Sequence, residues 1–372
     1  MIFSFFFACS TPCESPLSED ATIIELFTRL DQHHCIHKSD IHTLSTRMTE
    51  HHKQTTLHCD QVWRRSSIDG KIFDGPESLI LSSASVADVY IEKTGSHVIA
   101  YNDLRPNLLA DTAIQDPHKF WRMGLVGYGG LGLVRDRLYN SELEYIETDL
   151  HLLHPQEVVD PDISKTKDGK WRLVWFGVNP DQMNPNANGP LSSSKPHYFF
   201  RAESENLSDM GDPFVLVRSS EGMTGGADPT MATLPSGEDV LMVGPLDTTV
   251  MGWISKEGKF SPLAKPDLDT RAPLASPDLI VAPDGTLRLY GMKNGTPSEI
   301  WFYTSTDGIN WKKGGLAYKD KTTFNASVSV DPAGTWWLYY NRTDEECLKK
   351  WGSKRVLPPE APGTNILPNQ KR

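Results

Sequence analysis

The chain has little helical periodicity beyond residue 60, and after its first residues no stretch approaches the ~20 apolar residues of a membrane span. This argues against a helical bundle and against an integral membrane protein. It also lacks excess positive charge. With 37 Lys and Arg against 48 Asp and Glu, the formal charge is −11 and the pI near 5.6, which argues against nucleic acid or an anionic lipid surface as partner. Cysteine is scarce, at five in 372 residues, too few for a disulfide-built scaffold. Glycine and proline are plentiful, at 28 and 26, and hydrophobic residues make up 38%, proportions that suit a turn-rich all-β chain.

One sentence is written five times. Its clearest copy runs from Asp160 to Phe176: a short strand, an Asp-Gly turn at 168–169, and an alternating strand ending in aromatics. Counting back nine residues from the turn glycines Gly95, Gly169, Gly237, Gly285 and Gly334 gives Val86, Asp160, Asp228, Ser276 and Asn325. Such self-similarity marks an array of like units. Between these copies lies a second hairpin, clearest as Ser-x-Asp-Gly-x-x-Trp at 305–311 and shortened at 255–260. Its Ser and Asp side chains can bond the turn backbone. One copy, at 67–73, precedes every inner hairpin. Each unit is therefore four strands, and the last unit takes its outer hairpin from the N-terminal side, which closes a circular array. The expected fold is an all-β, five-bladed β-propeller closed by an N-terminal outer hairpin, with a small helical N-terminal extension.

The expected boundaries are 1–13 for a lipoprotein-type signal and linker, 14–60 for the extension, 61–351 for the propeller, and 352–372 for an irregular tail. The apolar run ending Phe-Phe-Ala-Cys9 looks like a bacterial lipoprotein signal, with Cys9 as the lipidated residue. That predicts an extracytoplasmic protein held to a bacterial membrane by its lipid alone, and it permits disulfides. Cys35 and Cys59, which flank the extension, are the favoured pair. Ile23, Ile24, Phe27 and Leu30 predict one amphipathic helix. Seven of twelve histidines fall between His33 and His58, but no spacing matches a zinc template, so they read as polar surface.

Chemistry should lie in the column opening each inner hairpin. The first and third positions are Val86/Asp88, Asp160/Asp162, Asp228/Thr230, Ser276/Asp278 and Asn325/Ser327. In a strand i and i+2 share a face, so these side chains should converge on the central channel. Like charges that close raise one another's pKa or recruit a cation, and a structural calcium in the channel is the cofactor such a column could hold. The competing reading is architectural: Asp beside a tight turn bonds the backbone.

Inner hairpins of the form Asp-Pro-x-h-x(5)-Gly-x-aromatic, with Ser-x-Asp-Gly-x-x-Trp turns outside, resemble the five-bladed glycosidases of glycoside hydrolase family 43 and its relatives in families 32 and 68. The resemblance covers about 61–341 and is a repeat grammar rather than a signature; the outer turn also occurs in six-bladed sialidases. It implies a base opening blade one, a pKa-tuning Asp in blade two, and an acidic Glu opening blade three. Here blade one opens with Val86, leaving Asp88 as candidate base. Asp160 or Asp162 would tune pKa. Blade three opens with Asp228, so Asp228 or Glu221 would be the acid. Arg105, Trp121 and Arg122, on an insertion in blade one, would contact substrate, as would Asp278 and Asn325 in the channel. The implied protein is an exported, monomeric, carbohydrate-active hydrolase. The alternative is a non-catalytic surface propeller that binds glycan or protein through its loops.

Overall fold

The computed structural model describes residues 59–103, 130–137, 143–146, 159–177, 198–211, 214–218, 227–244, 251–256, 258–263, 274–293 and 298–351. They form five four-stranded antiparallel sheets. Listed from the axis outward, the first is β3 (Ala84–Ile91), β4 (His97–Asp103), β5 (Gly130–Asp136) and β6 (Leu143–Tyr145). The second is β7 (Val159–Lys165), β8 (Trp171–Gly177), β9 (Tyr198–Ser204) and β10 (Phe214–Arg218). The third is β11 (Ala227–Thr233), β12 (Asp239–Gly244), β13 (Met251–Lys256) and β14 (Lys259–Pro262). The fourth is β15 (Leu274–Val281), β16 (Leu287–Lys293), β17 (Ser298–Ser305) and β18 (Lys312–Asp320). The fifth joins the two ends of the chain: β19 (Phe324–Val330) and β20 (Trp336–Thr343) are followed outward by β1 (Asp60–Ser67) and β2 (Glu77–Ser82). The innermost strands adjoin in the cycle β3, β7, β11, β15, β19 and back to β3. This is a five-bladed β-propeller. Among the described residues no helix is long and apolar enough to cross a membrane.

The inner hairpins owe their shared shape to one turn. In each, the glycine amide donates to the carbonyl three residues back, as Gly169 does to Thr166 at 3.0 Å and Gly285 to Ala282 at 2.9 Å. The five glycines sit at φ 81–104°, a region that penalises a Cβ. The outer turn is built from side chains. Asp307 Oδ1 accepts the amides of Ile309 and Asn310, each at 2.8 Å, and Ser305 Oγ accepts that of Gly308 at 3.0 Å. Those bonds, led by the Asn310 amide, hold the Asp307 carboxyl well below the usual carboxylate range. At 67–73 the same device recurs, with Gly70 donating to Ser67 Oγ and Lys71 to Asp69 Oδ1. That turn docks on the fourth blade, where Tyr290 Oη donates to the Gly70 carbonyl at 2.6 Å.

The core is divided among the gaps between blades. Ile163, Trp171, Leu173 and Trp175 of blade two pack on Val98, Ala100 and Leu133 of blade one, and each other gap is filled alike. Each strand therefore alternates because its two faces serve two different cores.

The gap between blades five and one also carries polar groups. Arg64 Nη1 donates to Asp136 Oδ2 at 2.7 Å and to Tyr339 Oη at 3.2 Å. With that oxygen accepting from Arg64, the Tyr339 hydroxyl donates to His97 Nδ1 at 2.6 Å. His97 is fully buried and its Nε2 has no partner. Burial, and then the Arg64 charge, pull its pKa down to about 3. Its folded pKa lies below the unfolded one, so the unfolded chain binds the extra proton and stability falls as pH drops below ~6.5. We expect about 1.4 kcal/mol lost per pH unit between ~5.5 and 4.5. Urea titrations across that range should show the slope in the native chain and a flatter one in His97→Phe.

After β20 the chain turns into a short helix, α1 (Glu345–Trp351), at the end of the 61–351 stretch expected to be all-β. Asp344 Oδ1 caps it, accepting the amides of Glu346 and Cys347 at 2.9 and 3.2 Å. The helix returns Cys347 to the start of β1, where it forms a disulfide with Cys59. The expected Cys35–Cys59 pairing is thereby corrected. Strand β1 lies along β20, and the Asp344 amide donates to the Cys59 carbonyl at 2.8 Å, so these two cysteines meet although 288 residues apart.

Candidate functional site: the axial carboxylates

The column departs from simple alternation. In all five innermost strands the pairing register slips by one residue at the start, a β-bulge between Ser85 and Asp88, Val159 and Asp162, Ala227 and Pro229, Ala275 and Asp278, and Phe324 and Ala326. The first-position residue of each blade sits in the left-handed region, with Val86, Asp160, Asp228, Ser276 and Asn325 at φ 44–52°. Asp and Asn tolerate that conformation because their short polar side chains bond locally. The next residue is Pro161, Pro229 or Pro277 in three blades, and the bulge there needs no amide donor. As a result three consecutive residues, not alternate ones, face the axis in several blades: Val86 to Asp88, Asp160 to Asp162, and Asp228 to Thr230.

Val86 is the misfit. A β-branched side chain at positive φ is strained by about 1–2 kcal/mol, and half-burial gives Val86 little packing in return. Val86→Asn, copying the residue that blade five uses at 325, should raise stability by about 1 kcal/mol. A thermal melt of the variant that is unchanged or lower would show that Val86 is held by contacts rather than strained.

Third-position side chains form a closed circle of hydrogen bonds. Asp88 Oδ2 accepts the Ile163 amide of blade two at 2.6 Å, and Asp162 Oδ2 accepts the Met231 amide of blade three at 3.1 Å. Thr230 Oγ1 accepts the Leu279 amide of blade four at 2.8 Å, and Asp278 Oδ2 accepts the Val328 amide of blade five at 2.7 Å. Ser327 Oγ completes the circuit by accepting the Val89 amide of blade one at 3.0 Å. Every blade is thus stitched to the next by one side chain. Ser327 also donates to Asp88 Oδ1 at 2.6 Å.

The first positions make a separate pair. Asn102 Nδ2 donates to Asp160 Oδ1 at 3.1 Å and Ser276 Oγ to Asp228 Oδ2 at 3.2 Å. Carboxylates that close disfavour each other's ionisation. Burial first, and then the Asp228 charge, raise Asp160 well above the ordinary range. Burial also raises Asp228, against the bonds from Asp160 and Ser276. The lower carboxylates shift the same way: Asp162 and Asp278 rise well above the usual range through burial and then the Asp88 charge, and Asp88 rises through burial.

These shifts carry a sign. A carboxyl whose folded pKa is raised contributes stability that is lost as pH rises through that folded value. Asp160→Asn replaces a buried group that resists ionisation with one that cannot ionise, so it should raise the melting temperature, and by more at pH 8 than at pH 5. Melts of the two proteins at both pH values test this.

The hollow over the axis has a cavity volume of about 20 Å³, room for a water or an ion. Asp88, Asp160, Asp162, Asp228, Asp278 and Asn325 all line it. Asp228 is half-buried and the other five are buried. Asn325 donates from Nδ2 to the Ala87 carbonyl at 3.3 Å. Glu221, Arg105, Trp121, Arg122 and Cys9 lie outside the described residues, as do the predicted helix and the histidine cluster. Strand alternation alone does not reveal the bulge; the Asp-Pro and Ser-Pro pairs at the strand starts are the signal that marks it.

No protein family profile matches the chain, and no curated protein does either. Solved structures of similar fold include a protein of unknown function from Dyadobacter fermentans DSM 18053, at 17% identity and TM-score 0.46, covering 69% of this chain and 75% of that one. An exo-1,5-α-L-arabinanase from a bovine ruminal metagenomic library is 13% identical at TM-score 0.44, covering 70% and 87%. A glycoside hydrolase family 43 endo-arabinanase from Bacillus licheniformis is 13% identical at TM-score 0.43, covering 67% and 85%.

Proposed function

We propose that the protein is an extracytoplasmic, lipid-anchored propeller that binds carbohydrate at the mouth of its axis without hydrolysing it through the axial carboxylates. The observation that carries this is the circle of five inter-blade bonds. It commits Asp88, Asp162 and Asp278 to neighbouring backbone amides. The carbohydrate class rests on the repeat grammar shared with the five-bladed glycosidases. Export rests on the Cys9 signal, and the Cys59–Cys347 disulfide is in keeping with an oxidising compartment. Cys9→Ala should move the protein from a detergent-phase membrane fraction to the soluble one.

A second reading, hydrolysis, is favoured by one observation: Asp160, pushed toward its protonated form by burial and the Asp228 charge, lines the same axial hollow as Asp228. The two readings separate when native protein is tested on a glycan array and on aryl glycosides and polysaccharides, with Asp160→Asn and Asp228→Asn alongside. Retention of a glycan without turnover supports binding. Turnover that both variants cut by about 10²-fold or more, with melting preserved, would establish hydrolysis instead. Retention of no glycan would remove the carbohydrate assignment.

A further inference from the structure

The chain as a whole is acidic, at −11, yet the flank of blade four that faces blade three is basic. There the half-buried indole of Trp301, on β17, has two ammonium groups against it. Lys313 Nζ of β18 lies 4.7 Å from the ring centroid and Lys293 Nζ of β16 lies 5.8 Å away. Lys319, further along β18, donates to Glu299 Oε1 at 2.8 Å, and the Trp301 indole N–H donates to Glu299 Oε2 at 3.0 Å. That carboxylate is therefore engaged already. Across the gap β13 ends in Lys256 and β14 begins with Lys259, and the two are paired directly opposite each other. Lys256 shares its strand face with Ile254, which packs on the same core as Trp301 and Trp311. Among the described residues these five lysines meet only Glu299 and, beside Lys256, the exposed Glu238.

Guarding a sheet edge accounts for lysines on β18, the outermost strand, but not for this arrangement. Lys293 belongs to an interior strand, and two ammonium groups drawn to one ring repel each other. An indole flanked by cations fits a flat ring that carries negative charge, with the ring against the indole and the charge meeting Lys293 and Lys313. Sugar uronates and nucleotides both answer to that chemistry. Densely spaced phosphates meet the repulsion of an acidic chain more severely than uronates, which carry one charge per sugar ring. Choosing the sugar rests on the carbohydrate reading above; the place of the site does not.

We propose that the outer flank between blades three and four, centred on Trp301, Lys293 and Lys313, is a second site that binds an acidic polysaccharide. One uronate stacks on the indole, and Lys256 and Lys259 continue the basic track across the gap to hold its neighbours along the polymer. The site lies on the rim rather than the axis. It takes a charge that the mouth, lined by carboxylates, would repel.

The test uses the full chain, with oligogalacturonate as the uronate probe and its methyl ester as the uncharged twin. Calorimetric titration should show the acid form bound about tenfold or more tightly than the ester, with affinity falling as NaCl rises. Lys293→Gln combined with Lys313→Gln should weaken binding of the acid form about tenfold and leave the melting temperature unchanged. If the double variant melts lower, Lys313→Gln alone, at an exposed residue, makes the same comparison. Lys167→Gln, on the exposed inner turn of blade two, should bind as the native chain does. No binding of the acid form, or binding that survives loss of the two lysines, overturns the proposal. So does a single-stranded oligonucleotide that uses the same lysines and binds more tightly than the uronate. Retention of a neutral glycan alone would overturn this site while leaving the mouth reading in place, so the two fail separately.

Discussion

A chain lacking residues 1–76 should yield no soluble folded protein, while one lacking only 1–57 should fold. The shorter deletion keeps Cys59 and all of β1; the longer one removes both. Strand β1 pairs with β20 along its whole length, from Asp60 opposite Thr343 to Ser67 opposite Trp336. Its loss would leave a bare edge on the fifth blade and strip β2 of its partner. It would also remove Val62, which is fully buried in the core between blades five and one, and Arg64, whose ion pair with Asp136 is almost wholly shielded from water. Removing a partner from such a pair alone costs about 3–5 kcal/mol, a large share of the ~5–15 kcal/mol that stabilises a typical domain. Expression trials with circular dichroism of the two truncations check this. Equal solubility and equal melting would mean that the fifth blade holds without β1.

Cys59→Ser and Cys347→Ser should each destabilise the protein by about 2–5 kcal/mol, and the double variant by no more than either single one. The disulfide joins residues 288 apart in sequence, so in the unfolded chain it closes a loop that contains every strand of the propeller. It also fastens the start of β1 to the helix that follows β20, where the two ends of the propeller meet. Denaturant unfolding with and without reductant measures the loss. Additive single-variant effects would show that each cysteine acts through its own packing rather than through the bond.

Much of this arrangement is legible in the sequence because local chemistry dictates it. A glycine with φ near 90° is needed to turn each inner hairpin, and Gly95, Gly169, Gly237, Gly285 and Gly334 stand there at matching offsets. Convergence of the column on the axis is legible too, since five copies of one strand must meet somewhere. The bulge is harder to read. Nothing about Val86 announces a left-handed backbone, and its conformation follows from the shared register of the blades rather than from its own preference. The division of labour within the column is invisible for a related reason. Asp160 and Asp162 are the same residue type two positions apart, yet one takes the side-chain amide of Asn102 in the preceding blade and the other the backbone amide of Met231 in the next. Only the spacing between adjacent blades decides which. Disulfide pairing fails on the same ground: Cys59 and Cys347 meet because two strands from opposite ends of the chain are sheet neighbours.

The composite fifth blade also sets the order in which the molecule can mature. During synthesis β1 and β2 are made before the other described strands of the propeller, yet β20, the strand that pairs with β1, is made after all of them. Throughout that interval the nascent chain carries a two-stranded ribbon with an open edge, a structure that is marginal by itself and prone to wrong pairing. Four blades can stack as they leave the ribosome, but the annulus cannot shut until Thr343 is free to meet Asp60. Folding of this protein is therefore expected to be slow and of high contact order, with its final step deferred until β20 has been made.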